Sequence, residues 1–346
     1  MNTPSNKDIT ILWLRPSTGE NVSTRRTRIA EHLKKQSVQV EFQNIDVSSP
    51  FAGLKSLLFG EHDIIISNVR FPLYASYLFI ELRQKPFIAD VSDPISQISD
   101  LPSPLFKLLY QYEWKILSQS DTAVFAESES YKIAQECGVN AVLAKNAVNY
   151  KLFSDPSTEV VDFARQELEG AGVDLDSPIV LYPGLFASVY HITETIAAAD
   201  VATDWEFVFI GERAQQAAIE RAANEKSNVY YLGSYTHDRV PGFLQHADVG
   251  LCLVDVERPL KILEYGAAML PVLGIPGDLQ KEFSEEQLWF VEPTPKEIAA
   301  GLERIYQNPI ESNQRSENLQ TTASQNSWQA VADMYLETIQ EITDKS

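Results

Sequence analysis

The sequence is poor in cysteine and histidine, with 2 cysteines and 5 histidines among 346 residues. Cys137 and Cys252 lie far apart and form no CxxC pair, which argues against a disulfide framework and against a zinc site. No spacing of histidines marks a metal site either. We therefore expect no metal ion and a reducing compartment.

Basic residues are also in deficit. The chain has 28 Lys and Arg against 48 Asp and Glu, which gives a net charge of −20. A field of this sign repels phosphate backbones. We therefore expect no nucleic-acid partner.

Long hydrophobic runs are absent. No segment approaches the roughly 18 apolar residues that a membrane-spanning helix needs, and the polar start lacks the apolar core of a signal peptide. The expected location is cytoplasmic, with peripheral contact at the inner face of the membrane as the alternative. Two apolar stretches that contain lysines, 51–59 and 105–117, are candidates for that contact, although core packing is the simpler role for the second.

Short apolar runs alternate with helix-length segments over residues 1–153. Strands separated by helices must be parallel, because each crossover requires a helix-sized connection. The pattern therefore predicts a doubly wound sheet. The predicted strands are 9–14, 38–45, 63–67, 86–91, 122–126 and 141–144, and the predicted helices are 24–36, 72–83, 104–119 and 129–137.

The alternation begins again after a polar stretch at 154–177, which we interpret as a linker region with a short helix. The predicted strands of this second domain, 178–326, are 178–182, 206–210, 228–232, 249–253 and 271–273. Residues 307–326 are polar and are expected to be irregular. Apolar residues at helical spacing then predict a closing helix within 327–346 that packs back on the N-terminal domain.

These patterns predict an α/β protein with two doubly wound, Rossmann-like domains in tandem and a deep cleft between them. Ligands of open parallel sheets bind at the carboxyl ends of the strands. The cleft is therefore the expected site.

The most informative segment is 258–268, which reads RPLKILEYGAA and follows a predicted buried strand. Pro259 favours the first turn of a helix, because its missing N–H is not needed there. The free amides near Pro259 and Leu260, with the charge of Lys261, suit a diphosphate. Glu264 lies one turn further along, where a carboxylate can accept hydrogen bonds from a ribose diol. A core helix with a solvated Lys and Glu fits this segment equally well.

The segment resembles the donor-binding motif PlKxxEYxAxGxPVv of family 4 (group 1) glycosyltransferases. Further blocks of the sequence also resemble the family and occur along the chain in the same order as in the family. These blocks are 181–184, 207–211, 228–233, 240–244 with 247–251, and 327–328. The resemblance covers nearly the whole chain and is strongest over 178–274. It implies the GT-B architecture, a nucleoside-diphosphate sugar as substrate, no cofactor, and a set of donor-binding residues: Gly184, Pro259, Leu260, Lys261 and Glu264.

The N-terminal half carries weaker resemblances, at 89–93 and at 146–153. The first implies that Asp93 binds an acceptor hydroxyl and makes it the catalytic candidate, whereas an aspartate that caps a turn is the simpler interpretation. Arg15 and Gly19 lie in the turn after the first predicted strand, where glycosyltransferases of this architecture bring a loop to the donor or acceptor. Arg25 belongs to a basic cluster just beyond that turn. An ordinary strand-to-helix turn is the simpler interpretation.

The sequence departs from the family pattern at several positions. Leu185 and Tyr190 stand where many members carry the Arg and Lys that neutralise the donor phosphates, and neither supplies positive charge. The first of the family's paired glutamates falls on Val256. Met269 and Ala147 replace glycines, which would crowd a backbone that needs positive φ.

The resemblance implies a retaining, metal-independent transferase that moves a sugar to a hydroxyl acceptor, either a glycan or a lipid-linked molecule. The departures favour a second interpretation, a glycosyltransferase-like subunit that binds or scaffolds without turnover. A sugar-nucleotide epimerase on the same fold is the third.

Overall fold

The structure is a computed structural model that describes residues 9–16, 24–45, 54–92, 103–256 and 258–344. The chain divides into two compact units. The first unit comprises residues 1–146 with 328–346, and the second comprises 147–327.

Each unit is built on a six-stranded parallel sheet. The strand order is β2-β1-β3-β4-β5-β6 in the first unit and β12-β11-β10-β7-β8-β9 in the second. This architecture confirms the predicted fold class of two doubly wound α/β sheets. The strands are β1 (Ile9–Arg15), β2 (Val38–Asn44), β3 (Ile64–Asn68), β4 (Phe87–Val91), β5 (Thr122–Phe125), β6 (Ala141–Leu143), β7 (Ile179–Leu185), β8 (Glu206–Glu212), β9 (Val229–Tyr231), β10 (Val249–Cys252), β11 (Val272–Gly274) and β12 (Trp289–Phe290).

Helices connect the parallel strands, except that a short 3-10 helix, Asp278–Lys281, lies between β11 and β12. The α-helices are α1 (Thr24–Lys34), α2 (Leu54–Phe59), α3 (Phe71–Arg83), α4 (Ser103–Leu117), α5 (Ser128–Glu136), α6 (Tyr150–Ser154), α7 (Thr158–Gly170), α8 (Ile192–Ala198), α9 (Gln216–Glu225), α10 (Val240–Leu244), α11 (Leu260–Ala267), α12 (Pro295–Gln307), α13 (Pro309–Gln325) and α14 (Trp328–Thr343). None of the helices in the described ranges is long and apolar enough to cross a membrane.

The first unit is held together by a buried polar network around Asp90, which is fully buried near the end of β4. Its carboxylate accepts hydrogen bonds from Asn68 Nδ2 at 2.7 Å and from the hydroxyl of Tyr335 at 2.9 Å. Arg26 Nε lies 3.4 Å away. The network ties α1 and α14 to the sheet, so α14 is part of the first unit although the second unit precedes it in the chain.

The short helix predicted within the linker region 154–177 is present as α7. It packs closely on α10, so this stretch belongs to the second unit. A Cβ placed on Gly242 would lie 2.2 Å from the carbonyl oxygen of Val160. Most of the stretch 307–326, which was expected to be irregular, belongs to the 17-residue helix α13. Its buried face includes Ser312 and Ser316, so the apolar periodicity that predicts a helix is weak there.

Candidate functional site

The segment 258–268 contains the whole of α11, which follows the carboxyl end of β10 as the sequence predicted. Pro259 has an extended conformation, with φ −65° and ψ 138°, and is the N-cap, so the helix begins one residue later at Leu260. The first amides of any helix have no partner within it and carry the positive end of the helix dipole. The amides of Leu260 and Lys261 are therefore suited to bind an anion.

The side chain of Lys261 places its ammonium between two tyrosine rings. Nζ lies 3.9 Å from the ring centroid of Tyr182 and 4.6 Å from that of Tyr190. The Nζ atom is buried, and among the described residues it has no hydrogen-bond partner. Burying an ammonium without a partner is costly, and a cation–π contact offsets only about 0.5–2 kcal/mol of that cost. The arrangement suits an anionic ligand.

Burial lowers the pKa of Lys261 to about 8, while Cys252 and Glu264 act in the opposite direction. Burial raises the pKa of Tyr182 and of Tyr190, so both phenols are neutral at pH 7. It also raises the pKa of the Cys252 thiol to about 12. The two rings and the thiol therefore leave the charge of the ammonium uncompensated.

Gly184, the predicted donor-binding glycine, lies directly beside this ammonium. It has a φ of +137°, and a Cβ placed on it would be 3.3 Å from Lys261 Nζ. Gly184 pairs with Gly211 across β7 and β8, and Gly211 has a φ of +142°. A Cβ on Gly211 would lie only 1.8 Å from the Gly184 carbonyl oxygen. The two glycines therefore allow the close approach of backbones that shapes this side of the site.

Glu264 lies one turn after Lys261 and is bound to a histidine. His237 Nε2 is 2.6 Å from Glu264 Oε1. The imidazole also packs edge-on against Phe153, with ring centroids 5.2 Å apart. The sequence analysis found no role for His237, because it lies 27 residues before Glu264 in a loop with no motif of its own.

At the position of the missing first glutamate, the described residues Asp255 and Val256 direct no carboxylate at α11, and Glu257 lies outside the described part of the chain. Val256 stands there and is exposed. The carboxylate of its neighbour Asp255 accepts a hydrogen bond from the backbone N–H of Asp278 at 2.6 Å. Asp255 therefore anchors the turn after β11 and does not replace the missing glutamate.

The two positions where the family has glycine behave differently. Met269 has a φ of +59° and ends α11 in a Schellman motif, with Leu270 N donating to Tyr265 O at 2.9 Å. The backbone at Met269 thus adopts the left-handed conformation that favours glycine. Ala147 is not among the described residues with positive φ.

The acceptor candidates of the first unit either contact residues of their own unit or lie outside the described residues. Arg15 donates to Asn44 Oδ1 at 2.9 Å and stacks on the Phe42 ring. Arg25 is 6% exposed and donates to the carbonyl oxygen of Ala144. Both side chains are thus engaged within their own unit. Asp93 and Gly19 fall outside the described residues.

The two apolar stretches considered for membrane contact are only partly buried. On α2, Leu57 is buried and Phe59 is 76% exposed. On α4, Leu105 and Leu108 are exposed, whereas Leu117 is buried. The first half of α4 therefore does not fulfil the expectation of core packing. Residues 51–53 lie outside the described part of the chain.

Groups of three or more His, Cys, Asp or Glu side chains that could hold a metal ion are not found within the described ranges. This observation concerns only protein side chains. Metal independence therefore stays a prediction.

Residues 178–308 match the family model described as Glycosyl transferases group 1. This range contains the whole candidate site: α11, both tyrosines, both glycines and the histidine. The match confirms the resemblance that the donor motif predicted. No curated protein sequence matches the chain significantly.

Several solved structures share the architecture over nearly the whole chain. Sucrose-phosphate synthase from Thermosynechococcus elongatus has a TM-score of 0.78 at 15% identity, covering 98% of this chain and 100% of its own. Anabaena HepE in complex with UDP-glucose has a TM-score of 0.77 at 14% identity, covering 96% of this chain and 100% of its own. UDP-GlcNAc 2-epimerase from Neisseria meningitidis, bound to UDP-GlcNAc, has a TM-score of 0.67 at 11% identity, covering 96% and 100%. At these identities the likeness shows the fold.

Proposed function

We propose that this chain, whose residues 178–308 match the group 1 glycosyltransferase model, is a glycosyltransferase that transfers a sugar from a nucleoside-diphosphate sugar to a hydroxyl acceptor. The second unit binds the donor, with the diphosphate at the start of α11 and the ribose at Glu264. In keeping with the sequence prediction, the reaction retains configuration and needs no metal ion.

The observation that carries the proposal is the buried, unpartnered ammonium of Lys261 beside Gly184 and the first amides of α11. A diphosphate placed there would meet a full positive charge, two or more N–H donors and the helix dipole. As the bond to the sugar breaks, negative charge grows on the departing diphosphate, and this is the charge that such groups stabilise. Catalysis by this chain would therefore rest on positioning and electrostatics.

The tyrosine pair explains how the chain functions without the basic residues of the loop after β7. Tyr190, which stands where the family often has a cation, forms one wall around Lys261. Tyr182 forms the other wall, and its hydroxyl group donates a hydrogen bond to the carbonyl oxygen of Leu185 at 2.8 Å. The positive charge is thus supplied from α11, and its aromatic surroundings come from β7, through Tyr182, and from the loop after β7, through Tyr190.

The related structures support a uridine nucleotide as the first donor to test. HepE was solved with UDP-glucose, and the Neisseria epimerase with UDP-GlcNAc. Neither the base nor the sugar follows from the contacts described above. Titrations therefore use both UDP and GDP.

Replacing Glu264 with Ala tests the ribose assignment. We expect the Kd for the preferred nucleoside diphosphate to rise by about 10- to 100-fold, because hydrogen bonds to a charged group contribute about 1.5–3 kcal/mol. Calorimetric titration measures the change. The exposed Glu303 on α12 offers a matched control, and Glu303→Ala should bind as the wild type does. Unchanged affinity of the Glu264→Ala protein would remove Glu264 from the site.

A non-catalytic binding subunit is the second candidate, and the surroundings of Val256 favour it. Among the described residues there, Val256 has no carboxylate and Asp255 accepts a hydrogen bond from the backbone N–H of Asp278, so neither replaces the first glutamate of the family pair. Measuring the slow hydrolysis of the donor in the absence of an acceptor distinguishes a transferase from a non-catalytic subunit. Release of free sugar supports the enzyme, whereas tight binding of donor without any release supports the subunit.

We also propose that the acceptor side touches a membrane surface through the first half of α4 and the end of α2. Leu105, Leu108 and Phe59 are exposed there, and Lys107 between the two leucines is exposed as well. Apolar side chains next to lysines suit the headgroup region of an anionic bilayer.

Flotation with phosphatidylglycerol vesicles at low salt tests this contact. The wild type should float with the vesicles, and a variant carrying Leu105→Ser and Leu108→Ser should float several-fold less. Ile310→Ser is the control, since Ile310 is 87% exposed in the second unit. A wild type that stays with the unbound fraction would refute the contact.

A further inference from the structure

His237 lies in the loop between β9 and α10. It contacts Glu264 although the strands that precede the two residues, β9 and β10, are not adjacent in the sheet. In the second sheet, β7 and β8 separate β9 from β10, and α11 follows β10. The loop therefore reaches across the carboxyl edge of the sheet to place Nε2 at 2.6 Å from Glu264 Oε1. A contact of this length between distant elements fixes the carboxylate in one orientation.

The chemistry of the pair defines the direction of the hydrogen bond. A carboxylate only accepts hydrogen bonds, so Nε2 carries the proton and donates. This leaves the second carboxylate oxygen, Oε2, with its acceptor capacity available for another donor. The side chain of Glu264 is 14% exposed, which is sufficient for a ligand hydroxyl to approach it.

The imidazole is itself held in place. Its ring packs edge-on against Phe153, which is fully buried. The turn that carries it is closed by the backbone hydrogen bond from Arg239 N to Thr236 O at 2.9 Å. Phe153 and the turn restrict the rotation of the imidazole ring. The hydrogen bond from this ring therefore holds the carboxylate of Glu264 in one orientation.

We propose that His237 is a positioning residue for ribose recognition, one that holds Glu264 so that its carboxylate accepts both hydrogen bonds from the 2′,3′-diol of the nucleotide. This inference rests on the proposed function and adds to it a residue that acts through Glu264. A purely structural role would tie the loop to α11 without regard to the sugar of the ligand. A ligand that lacks the diol therefore distinguishes the two roles, because only a positioning role depends on the diol.

The experiment compares two ligands, a nucleoside diphosphate and its 2′,3′-dideoxy analogue, on the intact protein. The wild type is titrated first with UDP and GDP, and the one that binds is used thereafter. His237→Phe keeps a ring against Phe153 but removes the donor. His237→Gln provides an amide N–H at a similar distance along the side chain. His246→Phe is the matched control, because His246 Nε2 faces the carbonyl oxygen of Val161, 3.1 Å away.

We expect His237→Phe to raise the Kd of the natural ligand about tenfold and to leave the Kd of the dideoxy analogue unchanged. His237→Gln should recover most of the loss, and His246→Phe should change neither value. Equal loss for both ligands, or no loss for either, would overturn the positioning role while the donor site stands. A wild type that binds neither UDP nor GDP would overturn the proposed function and this inference with it.

Discussion

Replacing Lys261 with Met should weaken the binding of the nucleoside diphosphate by about 100-fold, because truncating one partner of a desolvated charge pair costs about 2–5 kcal/mol. Met fills a similar volume between Tyr182 and Tyr190 but carries no charge. Calorimetric titration of both proteins at pH 7 gives the ratio. Lys226→Met is the control, since Lys226 forms a surface ion pair with Asp200. A Lys261→Met protein that binds as tightly as the wild type would exclude Lys261 from the donor site.

The same substitution should stabilise the protein without ligand. The folded pKa of Lys261, about 8, lies below the value of about 10.4 for an unperturbed lysine. The unfolded chain therefore binds this proton more tightly, and the resulting penalty on folding is fully present below pH 8 and fades as the pH rises toward 10. Lys261→Met removes the penalty, so we expect a gain of about 1–3 kcal/mol in the free energy of unfolding at pH 7.

Urea unfolding at pH 7 and pH 10 measures this effect. The difference between Lys261→Met and the wild type should shrink as the pH rises, whereas Lys226→Met should differ from the wild type by less than about 1 kcal/mol at both pH values. A Lys261→Met protein less stable than the wild type at pH 7 would show that the cation–π contacts outweigh desolvation. Loss of binding together with a gain in stability is typical of a residue kept for function.

Replacing Gly211 with Ala should be the most destabilising single-methyl change in the second unit. The new Cβ would lie 1.8 Å from the carbonyl oxygen of Gly184, and the φ of +142° is strained for any side chain. Both the clash and the strain must be relieved by separating β7 from β8 at their carboxyl ends. We expect a loss of about 3–5 kcal/mol in the free energy of unfolding.

Gly172→Ala is the control for the backbone strain alone. Gly172 also has a positive φ, +86°, but a Cβ placed there meets no atom within 4 Å. That substitution should cost about 1 kcal/mol. Thermal and urea unfolding measure the loss of stability in the two variants. Similar losses for both would show that the clash between the new Cβ and the Gly184 carbonyl oxygen does not destabilise the second unit.

Most of the fold could be predicted because parallel strands are buried on both faces and therefore appear as short apolar runs. Strands such as Ile64–Asn68 and Phe87–Val91 are fully buried and lie within a residue of their predicted bounds. Helix α13 was missed for the opposite reason. It buries serines against its neighbours, and its sequence carries little hydrophobic periodicity.

The candidate site could be predicted only where one continuous segment carries it. Lys261 and Glu264 lie in a single motif at helical spacing, and the structure places both on α11, Lys261 in its first turn and Glu264 one turn later. The partners of these residues come from other segments: Tyr190 follows β7 and His237 follows β9. No local pattern relates residues so far apart in the chain, so their contacts emerge only from the folded sheet.

The central claim is that the second unit binds a nucleoside diphosphate through the ammonium of Lys261. Calorimetric titration of the wild type with UDP and GDP at pH 7 and pH 9 tests it most directly. We predict saturable binding of at least one of them at pH 7, and a Kd about tenfold higher at pH 9, where an ammonium with a pKa of about 8 is largely deprotonated. Absence of saturable binding at pH 7 would contradict the donor site, and equal affinity at both pH values would contradict the role of Lys261.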